Sequence, residues 1–329
     1  RTGQLSRLRA PAGCAGSAHR PGHDGRVRSG IPLDRPLVLD GGLASDLAAA
    51  GHDLSDHLWS ARLLADAPDA IVEAHLRFLR AGAQVITTAS YQATVAGFAR
   101  RGIPASDARE LIRRSVDLAR QARDRARHEG IDTPLWIAAS VGPYGAMLAD
   151  GSEYRGDYGL SMAELVRFHR PRLELLAEAG PDLLALETVP DLREAEALLT
   201  ALAGLDVPAW LSYTIEGDRT RAGQPLAEAF ALAAGVDRVV AVGVNCCHPA
   251  DVPGAIEVAV AASGKPALAY PNSGEGWDAQ ARDWTGRSVA GQLPVRSWLA
   301  AGARLVGGCC RVTPSDIGQV AGAVRAYAG

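Results

Sequence analysis

The 329-residue sequence predicts a single domain built as a (β/α)8 barrel, and three observations support that fold class. Eight short apolar runs with strand propensity recur along the chain, and helix-like stretches separate consecutive runs. The runs are apolar almost throughout rather than at alternate positions, which is typical of parallel strands that are buried on both faces. Eight alternating strands and helices therefore favour a closed parallel barrel.

The predicted strands follow one another in a regular order. They are Pro36–Asp40, Ala83–Thr88, Leu135–Val141, Asp182–Glu187, Pro208–Thr214, Val239–Cys246, Ala267–Pro271 and Arg304–Cys310. An open, doubly wound sheet is the alternative for such a pattern. It is disfavoured because the first turn between strand and helix, residues 40–43 (DGGL), lacks the G-x-G-x-x-G spacing of a dinucleotide site.

The connecting segments carry the signals of helices. Two of them have apolar residues at positions i, i+4 and i+7, which places the side chains on one helix face. These are Val72, Leu76 and Leu79 in the first segment and Ile112, Val116 and Ala119 in the second. Ser161 and Glu164 form a capping box at the start of a further helix. Glycines after the helical stretches are expected in the left-handed conformation that ends a helix, namely Gly82, Gly180, Gly235, Gly264 and Gly302.

Composition and charge limit the classes of partner. The chain is 47% hydrophobic and 22% charged, and its net charge of −3 gives no reason to expect a nucleic acid or an anionic membrane. No apolar run reaches the roughly 18 residues that a membrane helix needs. Four of the five cysteines form two adjacent pairs, a poor framework for disulfides, so we expect a reducing cytoplasm. Small molecules are the expected partners, and the oligomeric state is left open.

Residues 1–31 differ in composition from the rest of the chain. They are rich in Arg, Gly, Ser, His and Pro and have no apolar core of a secretory signal. We expect this tail to be disordered, with the barrel domain spanning residues 32–329. A basic targeting or nucleic-acid arm is the alternative, and Cys14 within the tail is expected to have no role.

The chemically reactive side chains cluster at the predicted strand ends. In barrels of this class the active site lies at the carboxyl ends of the strands. Those ends carry Asp40, Thr87–Tyr91, Ser140–Tyr144, Glu187, Cys246, Tyr270–Ser273 and Cys309–Cys310. We therefore expect one catalytic face.

Cys246, Cys309 and Cys310 form a predicted metal site. Thiolates from separate strand ends suit a soft divalent metal, of which Zn²⁺ is the commonest. Neighbouring side chains on a strand point to opposite faces, so Cys309 and Cys310 reach one ion only where the strand has ended. Gly307 and Gly308 are expected to give the backbone the freedom for that turn. Two buried small side chains, or a disulfide between neighbours, are the alternatives.

The predicted ligand set favours sulfur chemistry. Three thiolates leave a bound Zn²⁺ with a net charge of −1, which makes it a weak Lewis acid toward water but suits it to hold a substrate thiol as a thiolate. Alkylation of sulfur is therefore expected rather than hydrolysis. A zinc hydrolase is a rival interpretation, although the sequence has no H-x-H or H-E-x-x-H pair. A non-catalytic zinc or redox sensor is another.

From about Pro36 to Val320 the chain resembles the homocysteine S-methyltransferase family of zinc-dependent barrels. The combination of G-x-N-C with G-G-C-C carries most of that resemblance. The matching segments are residues 39–42 (LDGG), 88–94 (TASYQAT), 140–145 (SVGPYG), 150–158 (DGSEYRGDY), 187–190 (ETVP), 243–246 (GVNC), 270–275 (YPNSGE) and 307–311 (GGCCR). Residues 150–158 and 270–275 are similar to the branch that uses S-methylmethionine, often with S-adenosylmethionine as well, and betaine-dependent relatives match them less well.

The resemblance implies transfer of a methyl group from a sulfonium to homocysteine, forming methionine, with Zn²⁺ as cofactor. It also implies roles for individual residues. Cys246, Cys309 and Cys310 would hold zinc, Asp40 and Glu187 would bind the amino group of homocysteine, Thr88 and Ser90 would hold its carboxylate through backbone N–H groups, and Asn245 would brace the site. The alternatives are a structural ion pair for Glu187 and a turn or helix-cap carboxylate for Asp40. A betaine or other donor remains the alternative substrate.

A sulfonium donor needs no general acid, because a neutral thioether leaves. The protein must only align the donor methyl group with the thiolate sulfur. The rings of Tyr91, Tyr144 or Tyr270 could hold the cation, with ordinary packing as the alternative. Cys247 is expected to be a passive neighbour rather than a spare ligand or an oxidation partner of Cys246, and His248 is expected to begin a loop away from the metal.

Overall fold

A computed structural model describes residues 30–55, 58–278 and 283–328, and an eight-stranded parallel sheet forms its centre. All eight predicted strands are present within a few residues of their expected bounds. They are Leu37–Val38, Val85–Thr87, Trp136–Val141, Leu183–Val189, Ala209–Tyr213, Val239–Asn245, Ala267–Tyr270 and Ala303–Val306, here called the first to eighth strands.

The sheet closes into a barrel. Consecutive strands from the second to the eighth pair in parallel, and the eighth pairs with the first. Leu39 and Val85 form a parallel bridge between the first and second strands, and the backbone N–H of Asp40 donates to the carbonyl of Val85 at 3.0 Å. The predicted barrel is therefore confirmed, and the open-sheet alternative is wrong.

Helices connect the strands and surround the barrel. The α-helices are Leu43–Ala49, Leu63–Asp66, Pro68–Ala81, Val95–Ala99, Ala105–His128, Tyr144–Leu148, Met162–Glu178, Leu192–Leu202, Leu226–Ala231, Val252–Ser263, Val295–Ala300 and Pro314–Ala328. Short 3-10 turns lie at Trp59–Arg62, Ser152–Tyr154, Pro249–Asp251 and Ala290–Gln292, and two small hairpins pair Ile215–Glu216 with Arg219–Thr220 and Gly276–Asp278 with Asp283–Thr285.

The local signals for helices are confirmed. Both predicted apolar stripes are buried. The hydroxyl of Ser161 accepts from the backbone N–H of Glu164, whose carboxylate accepts from the Ser161 N–H, so the capping box is complete. All five glycines that were expected to end helices have positive φ, with Gly82 at 107° and Gly302 at 111°. The sequence chemistry thus fixes where these helices begin and end.

Two hydrophobic clusters divide the core. One fills the barrel interior and includes Leu37, Trp136, Trp210 and Leu305, while a larger one lies between the sheet and the helices. The alternation of side chains along each strand supplies both clusters, which explains why the strands are apolar on both faces. Among the described residues, none of the helices combines the length and the apolar character required to cross a membrane.

The barrel begins earlier than the sequence predicts. Ile31, assigned to the tail, is only 2% exposed and belongs to the interior cluster. The carbonyl of Gly30 accepts a hydrogen bond from the indole N–H of Trp136 at 3.1 Å. The last two residues of the predicted tail thus contact the barrel, because the side chain of Ile31 reaches its interior and the Gly30 carbonyl bonds to Trp136. The rest of the predicted tail, residues 1–29, lies outside the described residues.

Candidate metal centre and substrate pocket

The three predicted ligands meet at the carboxyl end of the barrel. The sulfur of Cys246 lies 2.7 Å from that of Cys309 and 3.8 Å from that of Cys310, and all three lie within 4.8 Å of one another. Thiolate sulfurs around a tetrahedral zinc are about 3.8 Å apart, given Zn–S bonds of about 2.3 Å. The Cys246–Cys310 distance equals this spacing and the Cys246–Cys309 distance is about 1.1 Å shorter, so a bound ion would require the Cys246 and Cys309 sulfurs to move apart. The three thiols have the chemistry that a soft divalent ion prefers. The cysteines are free, which contradicts the alternative of a disulfide between neighbours.

The three thiols influence one another's pKa values in the absence of a metal. Hydrogen bonds from Cys246 and from Cys309 hold the pKa of the Cys310 thiol well below its usual range. A lowered pKa favours the thiolate of Cys310, which is the form that binds a metal.

The turn that delivers Cys309 and Cys310 differs from the prediction. The eighth strand ends at Val306, but neither Gly307 nor Gly308 has a positive φ. Instead, a Cβ at Gly307 would lie 2.6 Å from the Cβ of Leu39, and one at Gly308 would lie 2.2 Å from Cγ1 of Val312. Glycine is needed at both positions because Leu39 and Val312 pack where a larger side chain would lie.

The left-handed backbone at the site falls on residues other than glycine. Cys246 has φ of +50°, Thr188 of +59° and Arg311 of +61°. Such conformations cost free energy and persist only where the surroundings enforce them. At Thr188 the enforcing group is Asn245, whose side-chain oxygen accepts from the Thr188 backbone N–H at 2.7 Å and whose amide donates to the Thr188 hydroxyl at 2.7 Å.

Cys247 and His248 lie away from the cluster of sulfurs. Cys247 is buried in the core between sheet and helices, which favours its interpretation as a passive neighbour. The Nδ1 atom of His248 accepts from the backbone N–H of Ala250 at 3.2 Å, so this residue begins a loop as predicted.

A pocket opens beside the three sulfurs. It is lined by, among others, Asp40, Thr88, Tyr91, Ser140, Glu153, Tyr154, Glu187, Asn245, Tyr270, Cys246, Cys309 and Cys310. The lining residues, all in the described ranges, include three carboxylates and no Lys, Arg or His. The pocket therefore favours cationic groups.

Asp40 follows the first strand and is 3% exposed. Its carboxylate accepts the backbone N–H of Thr87 at 2.7 Å and the Thr87 hydroxyl at 3.0 Å. Burial raises the pKa of Asp40 to about 8, against the effect of these hydrogen bonds. The adjacent helix, Leu43–Ala49, has no side-chain cap, so the helix-cap alternative for Asp40 is wrong.

Glu187 lies on the fourth strand and is 7% exposed. It accepts a short hydrogen bond from the hydroxyl of Ser140 and one of 2.9 Å from the hydroxyl of Tyr270. Burial raises its pKa to about 7. In the described part of the chain Glu187 forms no ion pair, which contradicts the structural alternative and leaves its charge available to a ligand.

The structure limits the predicted roles of Thr88 and Ser90. The backbone N–H of Thr88 donates to the carbonyl of Ala138 at 3.0 Å, so it is not available for a substrate carboxylate. Ser90 is fully buried outside the pocket lining, and its hydroxyl donates to the carbonyl of Ser140 at 2.7 Å. The prediction of direct carboxylate contacts is therefore wrong for the Thr88 N–H, and both side chains instead join the second and third strands.

The three candidate tyrosines divide into two kinds. Tyr91 and Tyr270 line the pocket, and Tyr270 also holds Glu187. Tyr144 packs against Phe168, with ring centroids 4.8 Å apart, and against Tyr158 at 5.2 Å. Tyr144 is thus a packing residue.

Sequence reasoning missed a buried polar chain behind the pocket. Arg172, 3% exposed, donates to the carbonyls of Gly142 at 2.5 Å and Tyr91 at 3.4 Å, and lies 2.9 Å from Nδ1 of His169. The other ring nitrogen of His169 is 2.8 Å from the carboxylate of Glu194. This chain fixes the backbone of two loops that line the site. These residues lie on helices and match no sequence motif, so nothing in the sequence indicates that they meet behind the pocket.

Glu153 and Tyr154 were also missed as individual residues. They lie in the quoted segment 150–158, and both line the pocket. The hydroxyl of Tyr154 is 3.8 Å from the sulfur of Cys246. The motif was the available signal, but it did not indicate which of its side chains turn inward.

A closed parallel barrel with three thiols and buried carboxylates at its carboxyl face has the architecture of a barrel enzyme with its site at the strand ends. The chain belongs to the homocysteine S-methyltransferase family, whose model matches residues 37–324. It is an enzyme of that family, and the resemblance seen in the sequence is confirmed.

Known relatives agree over most of the chain. It is 47% identical to a homocysteine S-methyltransferase of Escherichia coli, over 85% of this chain and 93% of the relative. It is 46% identical to homocysteine S-methyltransferase 4 of Zea mays, over 88% and 89%. The crystal structure of the metallated homocysteine methyltransferase MmuM of Escherichia coli superposes with a TM-score of 0.79 at 46% identity, covering 87% of this chain and 96% of that one.

Proposed function

We propose that this enzyme transfers a methyl group from a sulfonium, S-methylmethionine, to the thiolate of homocysteine, with a Zn²⁺ ion held by Cys246, Cys309 and Cys310. S-adenosylmethionine is the second donor of the same class. The observation that carries the proposal is the pocket itself, in which a triangle of thiols adjoins three buried carboxylates with no cationic residue in the lining. Such a pocket suits two substrates that each bring a positive charge.

The metal would supply one kind of chemistry. When bound, Zn²⁺ lowers the pKa of a coordinated thiol while leaving the sulfur nucleophilic. The donor set supports zinc because thiolate ligands favour Zn²⁺ over hard ions such as Mg²⁺. Cys246, Cys309 and Cys310 would hold the ion as three protein ligands, which is the number that catalytic zinc sites use when a substrate also binds.

The carboxylates of Asp40 and Glu187 would hold the ammonium group of homocysteine. Each is buried, accepts hydrogen bonds from fixed donors and retains lone pairs toward the pocket. Binding of an ammonium would favour their charged forms and so offset the cost of burial, which raises the pKa of Glu187 to about 7. The side chains would thereby orient the amino acid with its thiol toward the cysteines.

The choice of a sulfonium donor agrees with the groups that are present. A neutral thioether leaves without protonation, and the pocket lining of the described chain presents no His or Lys as a general acid. The chain would contribute alignment and exclusion of water rather than proton transfer.

A donor competition tests the proposal. Zinc-loaded protein is incubated with homocysteine and, separately, with S-methylmethionine, S-adenosylmethionine or betaine, and methionine is followed by chromatography. We expect two methionines per turnover with S-methylmethionine, since donor and acceptor both become methionine. Turnover with betaine alone would favour the alternative donor, and absence of product with either sulfonium would refute the proposal. Protein carrying Cys310→Ser serves as the blank.

A further inference from the structure

One buried charge at the pocket has no function in the scheme above. The side chain of Glu153 is 4% exposed, and its Oε2 atom accepts no hydrogen bond from any residue that the structure describes. A buried carboxylate oxygen without a hydrogen bond is costly, and each such atom in a native protein calls for an explanation. Glu153 lines the same pocket as the thiol cluster.

The fold holds Glu153 in place. It lies in the 3-10 turn Ser152–Tyr154, against the helix Tyr144–Leu148. A Cβ at Gly145 would lie 2.3 Å from the backbone nitrogen of Glu153, so this glycine permits the close approach. Asp150 accepts the backbone N–H of Ser152 at 2.9 Å. Glu153 is thus a fixed charge rather than a side chain free to turn to solvent.

The surroundings of Glu153 suit a cation. Tyr91 and Tyr154 line the pocket with it, and the Tyr154 hydroxyl lies 3.8 Å from the sulfur of Cys246. The guanidinium of Arg221 lies 6.0 Å from the centre of the Tyr154 ring, but it pairs with Glu216 at 3.4 Å and does not line the pocket. Aromatic faces and a carboxylate together bind cations that lack hydrogen-bond donors.

We propose that Glu153, with the rings of Tyr91 and Tyr154, forms the subsite for the positively charged sulfur of the methyl donor. This inference rests on the proposed function and names the residues that select its second substrate. In a near-attack arrangement the donor sulfur lies about 5 Å from the acceptor sulfur, in line through the methyl carbon. Tyr154 lies next to Glu153 in the chain, and its hydroxyl is 3.8 Å from the sulfur of Cys246, so Glu153 shares the pocket in which a thiol bound at the cysteines would be methylated.

The charge of Glu153 also distinguishes substrate from product. The homocysteine thiolate forms a bond to the methyl carbon, the donor C–S bond breaks, and its electron pair stays on the donor sulfur. The sulfonium becomes a neutral thioether, and the acceptor becomes methionine. Glu153 therefore attracts the donor but not the thioether product, which favours exchange of product for fresh donor.

Two other assignments of Glu153 give different results in the same experiment. It could pair with the α-ammonium of the donor, or it could be a third carboxylate for homocysteine. Trimethylsulfonium separates these cases because it has a sulfonium and no amino group. Its binding to zinc-loaded protein is measured by calorimetry without homocysteine, so the result does not depend on turnover.

The test compares the wild-type protein with Glu153→Gln, which keeps the shape and removes the charge. We expect dissociation constants for trimethylsulfonium and S-methylmethionine to rise about tenfold or more, while those for homocysteine and for methionine stay within twofold. Glu178→Gln makes the same exchange at an exposed position outside the pocket, and as the matched control it should leave all four constants unchanged.

Each contrary outcome is specific. Unchanged trimethylsulfonium binding in Glu153→Gln overturns the inference, and so does a loss confined to S-methylmethionine or to homocysteine. Glu153→Asp retains the charge and should recover part of the affinity, which separates a charge effect from misfolding. If wild-type protein binds trimethylsulfonium through Glu153 but forms no methionine, the proposed function fails and the cation subsite stands.

Discussion

Replacement of Glu187 by Gln tests how the pocket binds the amino group of homocysteine. The carboxylate of Glu187 is buried, bonded to Ser140 and Tyr270, and has a pKa raised to about 7 by that burial. Gln keeps the size of the side chain but cannot carry a charge. We expect homocysteine to bind more weakly, because hydrogen bonds to charged groups contribute about 1.5–3 kcal/mol, or roughly 10- to 100-fold in affinity.

The pH dependence gives this prediction a second, independent quantity. With a pKa of about 7, Glu187 is about 10% charged at pH 6 and about 90% at pH 8. An ammonium binds the charged form, so ionisation of Glu187 should tighten binding about tenfold from pH 6 to pH 8. Deprotonation of the homocysteine thiol and of Asp40, whose pKa burial raises to about 8, adds further pH effects that are present in both the wild type and Glu187→Gln. The affinity gap between the two proteins should therefore widen about tenfold over this range.

Calorimetric titration of homocysteine into zinc-loaded protein at pH 6, 7 and 8 measures the gap, with metal content checked at each pH. Glu178→Gln makes the same exchange at an exposed position, where Glu178 pairs with Arg113 at 2.9 Å, and should bind homocysteine as the wild type does. A gap that is constant with pH would show that Glu187 is charged throughout. No gap at all would make Glu187 a structural residue.

Three further predictions concern the metal, the core and the barrel. Cys309→Ser and Cys310→Ser should each lose bound zinc and activity together, as measured by elemental analysis and methionine formation; a variant that keeps both refutes the ligand assignment. His75 is fully buried, and burial lowers its pKa to about 4. Below pH 6.5 the imidazole is therefore protonated in the unfolded chain before it is protonated in the folded one, which destabilises the fold by about 2 kcal/mol between pH 7 and pH 5. His75→Leu should remove that loss of unfolding free energy, as measured by chemical denaturation at the two pH values. Gly243→Ala should abolish the folded barrel in circular dichroism, since its Cβ would lie 1.9 Å from a carbonyl oxygen of the next strand, whereas Gly254→Ala, with open space around it, should not lower the melting temperature.

The course of the eighth strand shows where sequence patterns stop being informative. Its apolar run predicts a strand through Cys310, but the strand ends at Val306. Beyond Val306 the backbone N–H groups of Gly307 and Cys309 still donate to the carbonyls of Ala269 and Pro271, although the regular strand has ended. A Cβ at Gly307 or Gly308 would collide with Leu39 or Val312. Hydrophobic periodicity reports burial, and residues 307–310 are buried or half-buried without being a strand.

The assignments of Thr88 and Asn245 show the same limit at the site. Both were placed on the catalytic face, and both line the pocket. Which of their groups are free depends on neighbours that only the fold supplies. The Thr88 N–H donates to the carbonyl of Ala138, and the side-chain oxygen of Asn245 accepts hydrogen bonds from Thr188 and Ser212.

The sequence by itself determined the barrel, the three cysteines that meet at its carboxyl face and the family. Strands, helix caps and cysteines at strand ends are local features, and a parallel barrel brings all its strand ends to one face. Only the tertiary structure decided the charges of the pocket. Burial raises the pKa of Asp40 to about 8 and that of Glu187 to about 7, and the buried Oε2 atom of Glu153 accepts no hydrogen bond from the described residues. Those properties depend on what surrounds a carboxylate in three dimensions, and an acidic residue reads the same in sequence whether it is solvated or buried.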